Sequence, residues 1–434
     1  MYLGFSQDPI EQTYSFTLEE AIAFALENNY SAINADRDLI DARKQKWEVI
    51  ASGLPQIDGA VGYQNQLKQP VTLIPGEIAG GEPGTFIPVV FGQPQSMVAS
   101  ATLTQKIFDG SYIVGVQATK SFLNYSTYND EKTDQEVTTA VVEAYGNVLL
   151  AEESVAILEK NKVNLEKNLF ETTKLFENGL GDEEGVEQLQ ITLSSIDNQL
   201  KNAIRFQDIT RQMLNLIMGI ALDAPTQLEE NLDNLVLKQI NFDLMKTEFD
   251  LENNVDYKLA QNFTEQRFFE LKLAKSRALP SLNSFINYGS SAFSNDFSFF
   301  QSSQDWFDSS VLGLDLKIPI FSSAQRSATT ARAKIALEKA KTELSEAEQQ
   351  IRLQLDRAKS DYIFAIEQYD TAKNNLDLAE RIENKNQIKY SEGIASSFEL
   401  RQAQTQLYDA QDGYLRSMVE VINSKTNLET ILNN

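Results

Sequence analysis

The pattern of residues in the first half of the chain returns in the second half, in the same order. Residues at helix ends, in strands and at a turn each have a partner about half a chain later. The matched segments are 26–29 with 251–254, Pro55 with Pro280, Tyr63 with Tyr288, 103–108 with 316–321, and 176–180 with 390–394. Such self-similarity is typical of a fold built from copies of one unit. The sequence therefore predicts two structurally equivalent halves.

Each copy reads as a helix, a pair of strands, a very long helix, a glycine turn and a return helix. Thr17 followed by Glu20 predicts a capping box at the first helix. Pro55 and Pro280 are expected to end helices, because proline lacks an amide donor. In residues 312–318, leucine and isoleucine alternate with glycine, aspartate and lysine. This period of two predicts a strand with one apolar and one polar face.

The helix predicted after each strand pair is unusually long. Residues 324–390 contain neither glycine nor proline, and a helix of that length would extend about 100 Å. Apolar residues recur along it in alternating steps of four and three, which is coiled-coil spacing. Residues 141–169 show the same spacing in the first copy. Gly179 and Gly393 then supply the turn from which a second helix returns.

These signals divide the chain into a first repeat over residues 15–220, a linker over 221–241 and a second repeat over 242–434. Strands are predicted near 57–69, 96–108, 281–293 and 308–320. Prolines and glycines crowd residues 70–94, which predicts an exposed loop without regular structure. The corresponding loop of the second copy, within residues 293–307, is rich in phenylalanine instead.

The composition excludes several classes of function. The net charge of −24 argues against nucleic acid as a partner. The chain has no histidine and no cysteine, so catalytic triads and zinc sites built on them are excluded. No glycine loop for phosphate follows a strand. We therefore expect no enzyme activity, no cofactor and no metal site.

A membrane role, if present, depends on the strands. No apolar run reaches the roughly 18 residues of a transmembrane helix, whereas the weaker alternating pattern of membrane strands is present. Tyr63, Tyr288, Phe293 and Trp306 are placed either as an interfacial aromatic girdle or as ordinary strand aromatics. Residues 1–7 lack a basic segment, and we interpret them as the end of a signal peptide whose beginning is missing.

Together, these motifs resemble the TolC-like outer-membrane efflux protein family, over about residues 15–432. The residues that carry the resemblance are 17–21, Leu54-Pro55, 103–110, 176–179 with Gln190, Leu279-Pro280, and 390–393 with Ala403-Gln404. The resemblance implies a mainly α fold with membrane β-strands. Three identical chains would close a 12-stranded β-barrel in outer-membrane lipid of a Gram-negative bacterium, continued by a periplasmic α-helical barrel.

The family also implies a function and partners. The trimer would be the exit channel of a tripartite efflux or type I secretion system, working with a periplasmic adaptor and an inner-membrane pump. In the strand at 308–320, Leu312, Leu314 and Leu316 would face lipid, whereas Asp315 and Lys317 would face the lumen.

Site residues follow from the same resemblance. The expected pore gate comprises Asp182, Glu183, Tyr390, Glu399 and Gln402. The expected adaptor-docking tip comprises Gly179, Leu180, Gly393 and Ile394. The sequence departs from the family at two gate positions. Gln402 replaces a second acid, and Gly185 occupies the position equivalent to Glu399 in the first copy.

A soluble coiled-coil scaffold is the alternative interpretation. In such a protein the long helices would only pack against one another without enclosing a pore, and the strand segments would be hinges. The alternating patterns at four matched places argue against it. Extraction would discriminate the two, because a channel needs detergent and a scaffold does not.

Overall fold

A computed structural model describes residues 14–433 of the chain. The segment interpreted as the end of a signal peptide lies outside the described residues. None of the helices between residues 14 and 433 combines the length and apolar character needed to cross a membrane.

The described part of the chain is mainly helical, and the predicted mainly α fold with a few strands is confirmed. Two of its eight α-helices have 68 and 67 residues, as the long uninterrupted segments indicated. The helices are α1 (Leu18–Asn28), α2 (Tyr30–Ala51), α3 (Gly110–Glu177), α4 (Glu183–Met218), α5 (Leu232–Gln239), α6 (Val255–Ser276), α7 (Gln325–Ser391) and α8 (Ser397–Leu432).

The strands form one larger sheet and two small ones. They are β1 (Tyr14–Phe16), β2 (Gln56–Asn65), β3 (Val71–Pro75), β4 (Phe86–Val90), β5 (Gln95–Asp109), β6 (Thr226–Leu228), β7 (Ser281–Ser294) and β8 (Phe307–Lys317). The larger sheet is antiparallel, with the order β2-β5-β7-β8. Within one chain, β2 and β8 therefore lie at its two edges.

The chain divides into two compact units. Among the described residues, the helical unit comprises 14–41, 124–263 and 341–433. The strand unit comprises 42–123 and 264–340. Each sequence repeat contributes to both units, so these spatial units cut across the predicted repeats.

The helical unit has a hydrophobic core that includes residues from α1, α3, α4, α5, α7 and α8. The predicted capping box is present at α1, where Thr17 and Glu20 satisfy each other's backbone amides. The side chain of Tyr145 is fully buried, and its hydroxyl donates to the carbonyl of Phe16 over 3.1 Å. The predicted seam of α7 is buried from Ile351 to Tyr369.

Residues 221–241, which the sequence suggested as a linker, are an ordered part of the helical unit. They contain β6, which pairs in parallel with β1, and the whole of α5. Leu232, Leu235 and Val236 of α5 are buried in the core. Their spacing of three and four places them on one helix face, and burying this face stabilises the segment.

The larger sheet has one apolar face, because side chains alternate along each strand. In register, Leu312 of β8 lies opposite Ile286 of β7, which in turn lies opposite Leu103 of β5. The other face is polar, and the amide of Asn287 donates there to the Thr102 hydroxyl over 2.6 Å. Leu312, Leu314 and Leu316 thus lie on the face opposite to Asp315 and Lys317.

The prediction of an irregular loop at residues 70–94 is wrong. The segment contains β3 and β4, paired as an antiparallel hairpin, and a short 3₁₀ helix. Pro75 and Pro88 both lie within strands. A two-stranded sheet tolerates them, because each strand has a free edge where no amide donor is needed.

Candidate functional site

The first turn of the helical unit joins α3 to α4 at Gly179. This glycine has φ of +74°, and its amide donates to the Phe176 carbonyl over 2.9 Å. The amide of Leu180 donates to the carbonyl of Leu175, also over 2.9 Å. This pair of bonds is the Schellman motif, which needs a left-handed residue at its centre. Glycine fills that position without strain.

The second turn joins α7 to α8 and is built in the same way. Gly393 has φ of +72°, and its amide donates to the Tyr390 carbonyl over 3.0 Å. The Ile394 amide donates to the Lys389 carbonyl over 2.8 Å. The sequence repeat is therefore also a repeat of hydrogen-bond geometry at the two turns.

Each turn exposes one large apolar side chain. Leu180 is 76% exposed and Ile394 is 70% exposed, although both follow directly on the turn glycine. A C-terminal turn of this kind often packs the residue after the glycine back on its helix. Here both side chains remain in solvent and are available to a partner.

The predicted gate acids lie at helix starts, where they also cap the helices. Asp182 is the N-cap of α4 and accepts a hydrogen bond from the Gly185 amide over 2.7 Å. Glu399 accepts from the Ser396 amide over 2.8 Å and from the Ser396 hydroxyl over 3.1 Å. Ser396 and Glu399 form a complete capping box at α8.

The capping contacts keep Glu399 ionised. The hydrogen bond from the Ser396 amide, followed by that from the Ser396 hydroxyl, holds the pKa of the Glu399 carboxyl below its usual value. The side chain is exposed. The local capping role and a negative charge at the surface are thus compatible. Glu183 and Gln402 are likewise exposed, in the first turn of α4 and the second turn of α8.

Gly185 is required by the close approach of two helix starts. A Cβ atom built there would lie 2.7 Å from Asp182 Oδ1 and 3.3 Å from Ser397 Cβ. An acid at this position would displace the start of α8 or break the Asp182 cap. The departure from the family pattern at Gly185 therefore has a steric reason, which the sequence alone does not contain.

Tyr390 joins α7 to α3 through a polar contact. Its hydroxyl lies 2.9 Å from the Thr172 hydroxyl. Asn168 and Gln387 exchange two amide hydrogen bonds, each of 2.9 Å. We call these four residues the polar ladder. Sequence reasoning singled out Tyr390 but missed its three companions, which appear in the sequence only as polar residues within an apolar seam.

A partly buried carboxyl group lies between α7 and α8. Burial raises the pKa of Glu383, while a hydrogen bond from Gln404 acts in the opposite direction. Gln404 is almost fully buried, and its Oε1 has no hydrogen-bond partner within the described residues. Burial also raises the pKa of Tyr408, and the charge of Glu383 adds to this effect.

We expect Glu383→Gln to stabilise the protein at neutral pH. A carboxyl whose pKa is raised by folding favours the folded state below its unfolded pKa of about 4.5, and this stabilisation is lost as pH rises through the folded pKa. The glutamine side chain of the variant stays neutral at every pH, so the variant does not lose stability as pH rises. Thermal unfolding can be followed by circular dichroism from about pH 4 to about pH 8. The melting temperature of Glu383→Gln should exceed that of the wild type by a margin that grows with pH.

The matched control is Glu380→Gln, which changes an exposed carboxylate on the same helix. It should melt as the wild type does at each pH. If both variants raised the melting temperature equally, net charge rather than the burial of Glu383 would set the pH dependence of stability.

The site consists of surfaces suited to contact with a partner. Across the part of the chain that the structure describes, no three His, Cys, Asp or Glu side chains are arranged to bind a metal ion. What the site offers is two exposed apolar turns, adjacent acids at helix starts and a polar contact between long helices.

Comparisons with known proteins identify the fold. The family model "Outer membrane efflux protein" matches residues 250–434. The outer membrane protein VceC of Vibrio cholerae is 15% identical over 96% of both chains, with a TM-score of 0.75. The Campylobacter jejuni CmeC outer membrane channel is 19% identical over 96% of this chain and 85% of its own, with a TM-score of 0.76.

CusC shares the fold over a similar extent. CusC is 16% identical over 99% of this chain and 95% of its own, with a TM-score of 0.76. No curated protein matches the sequence. The matched family consists of channels rather than enzymes. From end to end the chain therefore has the fold of these outer-membrane channels, and its second half is similar to the outer membrane efflux protein family.

Proposed function

We propose that the chain is the outer-membrane exit channel of a tripartite efflux or type I secretion system. Three copies form the conduit, and an adaptor and an inner-membrane pump deliver cargo to it. The observation that carries this proposal is the four-stranded sheet, which has an apolar face and two unpaired edges. The family match of the second half supports it.

The sheet argues for a trimer on physical grounds. In hydrocarbon, every backbone amide and carbonyl must be paired within the protein, so a membrane sheet cannot keep free edges. β2 and β8 are such edges. Pairing β8 of one copy with β2 of the next removes them, and three copies give twelve strands, a number suited to a pore.

The scaffold alternative is not favoured. A soluble scaffold would cover the apolar face of its sheet, yet Leu314 is 68% exposed, and Leu312 and Leu316 are similarly exposed. Contiguous exposed apolar surface of this kind marks contact with a membrane or a partner. Contact with lipid explains the apolar face of the sheet, and an aqueous lumen explains its polar face.

The acids at the helix starts support a charged gate. Threefold symmetry would repeat Glu399 three times around one axis, with Asp182 and Glu183 of each copy on the neighbouring hairpin. A ring of carboxylates attracts cations and repels anions. The neutral Gln402 and Gly185 weaken this ring, while the Tyr390–Thr172 contact would hold the hairpins in the closed arrangement.

Planar-bilayer recording tests the channel and its gate together. We expect the purified protein to form cation-preferring pores, and we expect Glu399→Gln to reduce both the cation preference and the block by multivalent cations. Glutamine keeps the hydrogen-bonding pattern of a capping box. The change therefore removes the charge while preserving the start of α8.

A matched control is available in the same chain. Glu20 forms the equivalent capping box with Thr17 at α1, so Glu20→Gln makes the same chemical change away from the two turns. It should leave selectivity as in the wild type. Absence of any pore would refute the channel proposal, and pores with unchanged selectivity in Glu399→Gln would place the gate elsewhere.

A further inference from the structure

One face of the β3–β4 hairpin is entirely apolar, and the described part of the chain does not cover it. The side chains on this face come from both strands, and all of them are exposed. They are Val71, Leu73, Pro75, Phe86, Pro88 and Val90. We call them the hairpin face. A two-stranded hairpin is marginal in water by itself, so such a face is expected to have a partner.

The hairpin continues one edge of the larger sheet. Beyond the last β2–β5 pair, the Gln66 amide donates to the Pro94 carbonyl over 2.8 Å. Farther on, the Gln69 amide side chain donates to the Gly92 carbonyl over 3.1 Å. β3 is therefore the extension of the edge strand β2. Its outer edge, like that of β2, has no strand beside it among residues 14–433.

The opposite edge of the sheet begins with exposed aromatic side chains. β8 starts at Phe307, and the loop before it carries Phe300 and Trp306. Phe300 is 83% exposed, and Phe307 is also exposed. We call these three residues the aromatic edge. β5 and β7 separate it from β2 within one chain, so the hairpin face is at the far side of its own sheet.

Pairing between copies would bring the two surfaces together. In the trimer proposed above, β8 of one copy runs antiparallel to β2 of the next. The start of β8 then lies beside the end of β2, at Asn65, from which the hairpin rises. Neither surface includes a charged side chain, so their contact needs no buried ion pair.

We propose that the hairpin face binds the aromatic edge of the neighbouring copy, forming a clasp between adjacent chains at the outer end of the barrel. The occupant is a second copy of this chain, and the inference rests on the proposed trimeric channel. The clasp explains why β3 and β4 form an ordered hairpin from a segment rich in proline and glycine. It also extends the interface between copies beyond the paired strands.

Cysteine cross-linking tests the clasp directly, because the natural chain has no cysteine. Leu73→Cys and Phe300→Cys are introduced in separate chains, which are co-expressed and treated with a short bis-maleimide. We expect a covalent dimer on a denaturing gel. Gly84→Cys, at the far turn of the hairpin, replaces Leu73→Cys as the control and should give no product with Phe300→Cys.

A second pair separates failure of the clasp from failure of the trimer. Val61→Cys in β2 and Leu312→Cys in β8 lie on the same sheet face and report on pairing of the strand edges. Cross-linking of this pair without cross-linking of Leu73→Cys to Phe300→Cys would overturn the clasp and leave the trimer. Cross-linking of neither pair would overturn the proposed trimer as well.

Fluorescence tests lipid as the competing occupant. The chain has two tryptophans, and Trp47→Phe leaves Trp306 as the reporter on the aromatic edge. The protein is placed in vesicles of brominated phosphatidylcholine, whose bromine atoms quench tryptophan fluorescence on contact. If the hairpin covers Trp306, its fluorescence should be retained. Strong quenching of Trp306 would show that lipid covers this edge and would overturn the clasp.

Discussion

Replacing Leu314 by arginine is expected to prevent most of the protein from assembling in the outer membrane. Leu314 lies on the apolar face of β8, in line with Leu312 and Leu316, and is 68% exposed in the single chain. An arginine at mid-bilayer costs roughly 2–4 kcal/mol in each copy. Three copies carry the substitution in one trimer, so the effect is multiplied.

The matched control is Asp315→Arg, in the adjacent residue of the same strand. Its side chain points to the polar face, so the same new charge is introduced where water is expected. The measurement is the fraction of protein recovered from the outer membrane as a trimer by light scattering in detergent. Equal loss for both variants, or a wild-type protein that is a monomer in detergent, would refute the lipid-facing assignment.

The confirmed parts of the fold are those that depend on local sequence patterns. The period of two in residues 312–318 indicated β8 and its two faces, and the unbroken segment at 324–390 indicated α7. The capping box at Thr17 and the turn at Gly393 also follow from a few adjacent residues. Such signals depend on neighbours along the chain, and a single sequence displays them directly.

The parts that escaped prediction depend on contacts between distant residues. Prolines at 75 and 88 argued against strands, yet pairing of β3 with β4 gives both a place on a free edge. Part of the crowding at Gly185 comes from Ser397, on the other hairpin. The bond of Tyr390 to Thr172 likewise joins residues from different repeats. No pattern of neighbouring residues in the sequence predicts contacts between residues so far apart along the chain.

The gate residues could be predicted from the sequence only in part. The sequence placed Glu399 at a helix start, and the structure adds the Ser396 contacts that explain why an acid is favoured there. These contacts account for the residue without any pore. A role in gating would come from the symmetry axis, and therefore from the other two copies. This is why the Glu399→Gln experiment compares selectivity rather than stability.

Replacing Leu180 and Ile394 together by aspartate is expected to abolish export while trimers still form. Both side chains are largely exposed beside their turn glycines, so their loss should cost the fold little. If the two turns receive the adaptor, as we propose, apolar contact with the adaptor must exclude water there. Two unpaired carboxylates per chain, six in a trimer, would then oppose docking. Efflux of a fluorescent substrate from cells with the matching pump and adaptor measures the effect.

The control for this double variant is an exposed leucine of the same helical unit away from the turns. Leu237 of α5 is exposed to a similar degree, and Leu237→Asp should leave export near the wild-type level. Trimer content in the outer membrane must be equal in all three proteins, so that lost export reports lost docking rather than lost assembly. Normal efflux by the Leu180→Asp, Ile394→Asp protein would show that the adaptor binds the helices elsewhere, because a charge at each turn cannot be accommodated in an apolar contact without cost.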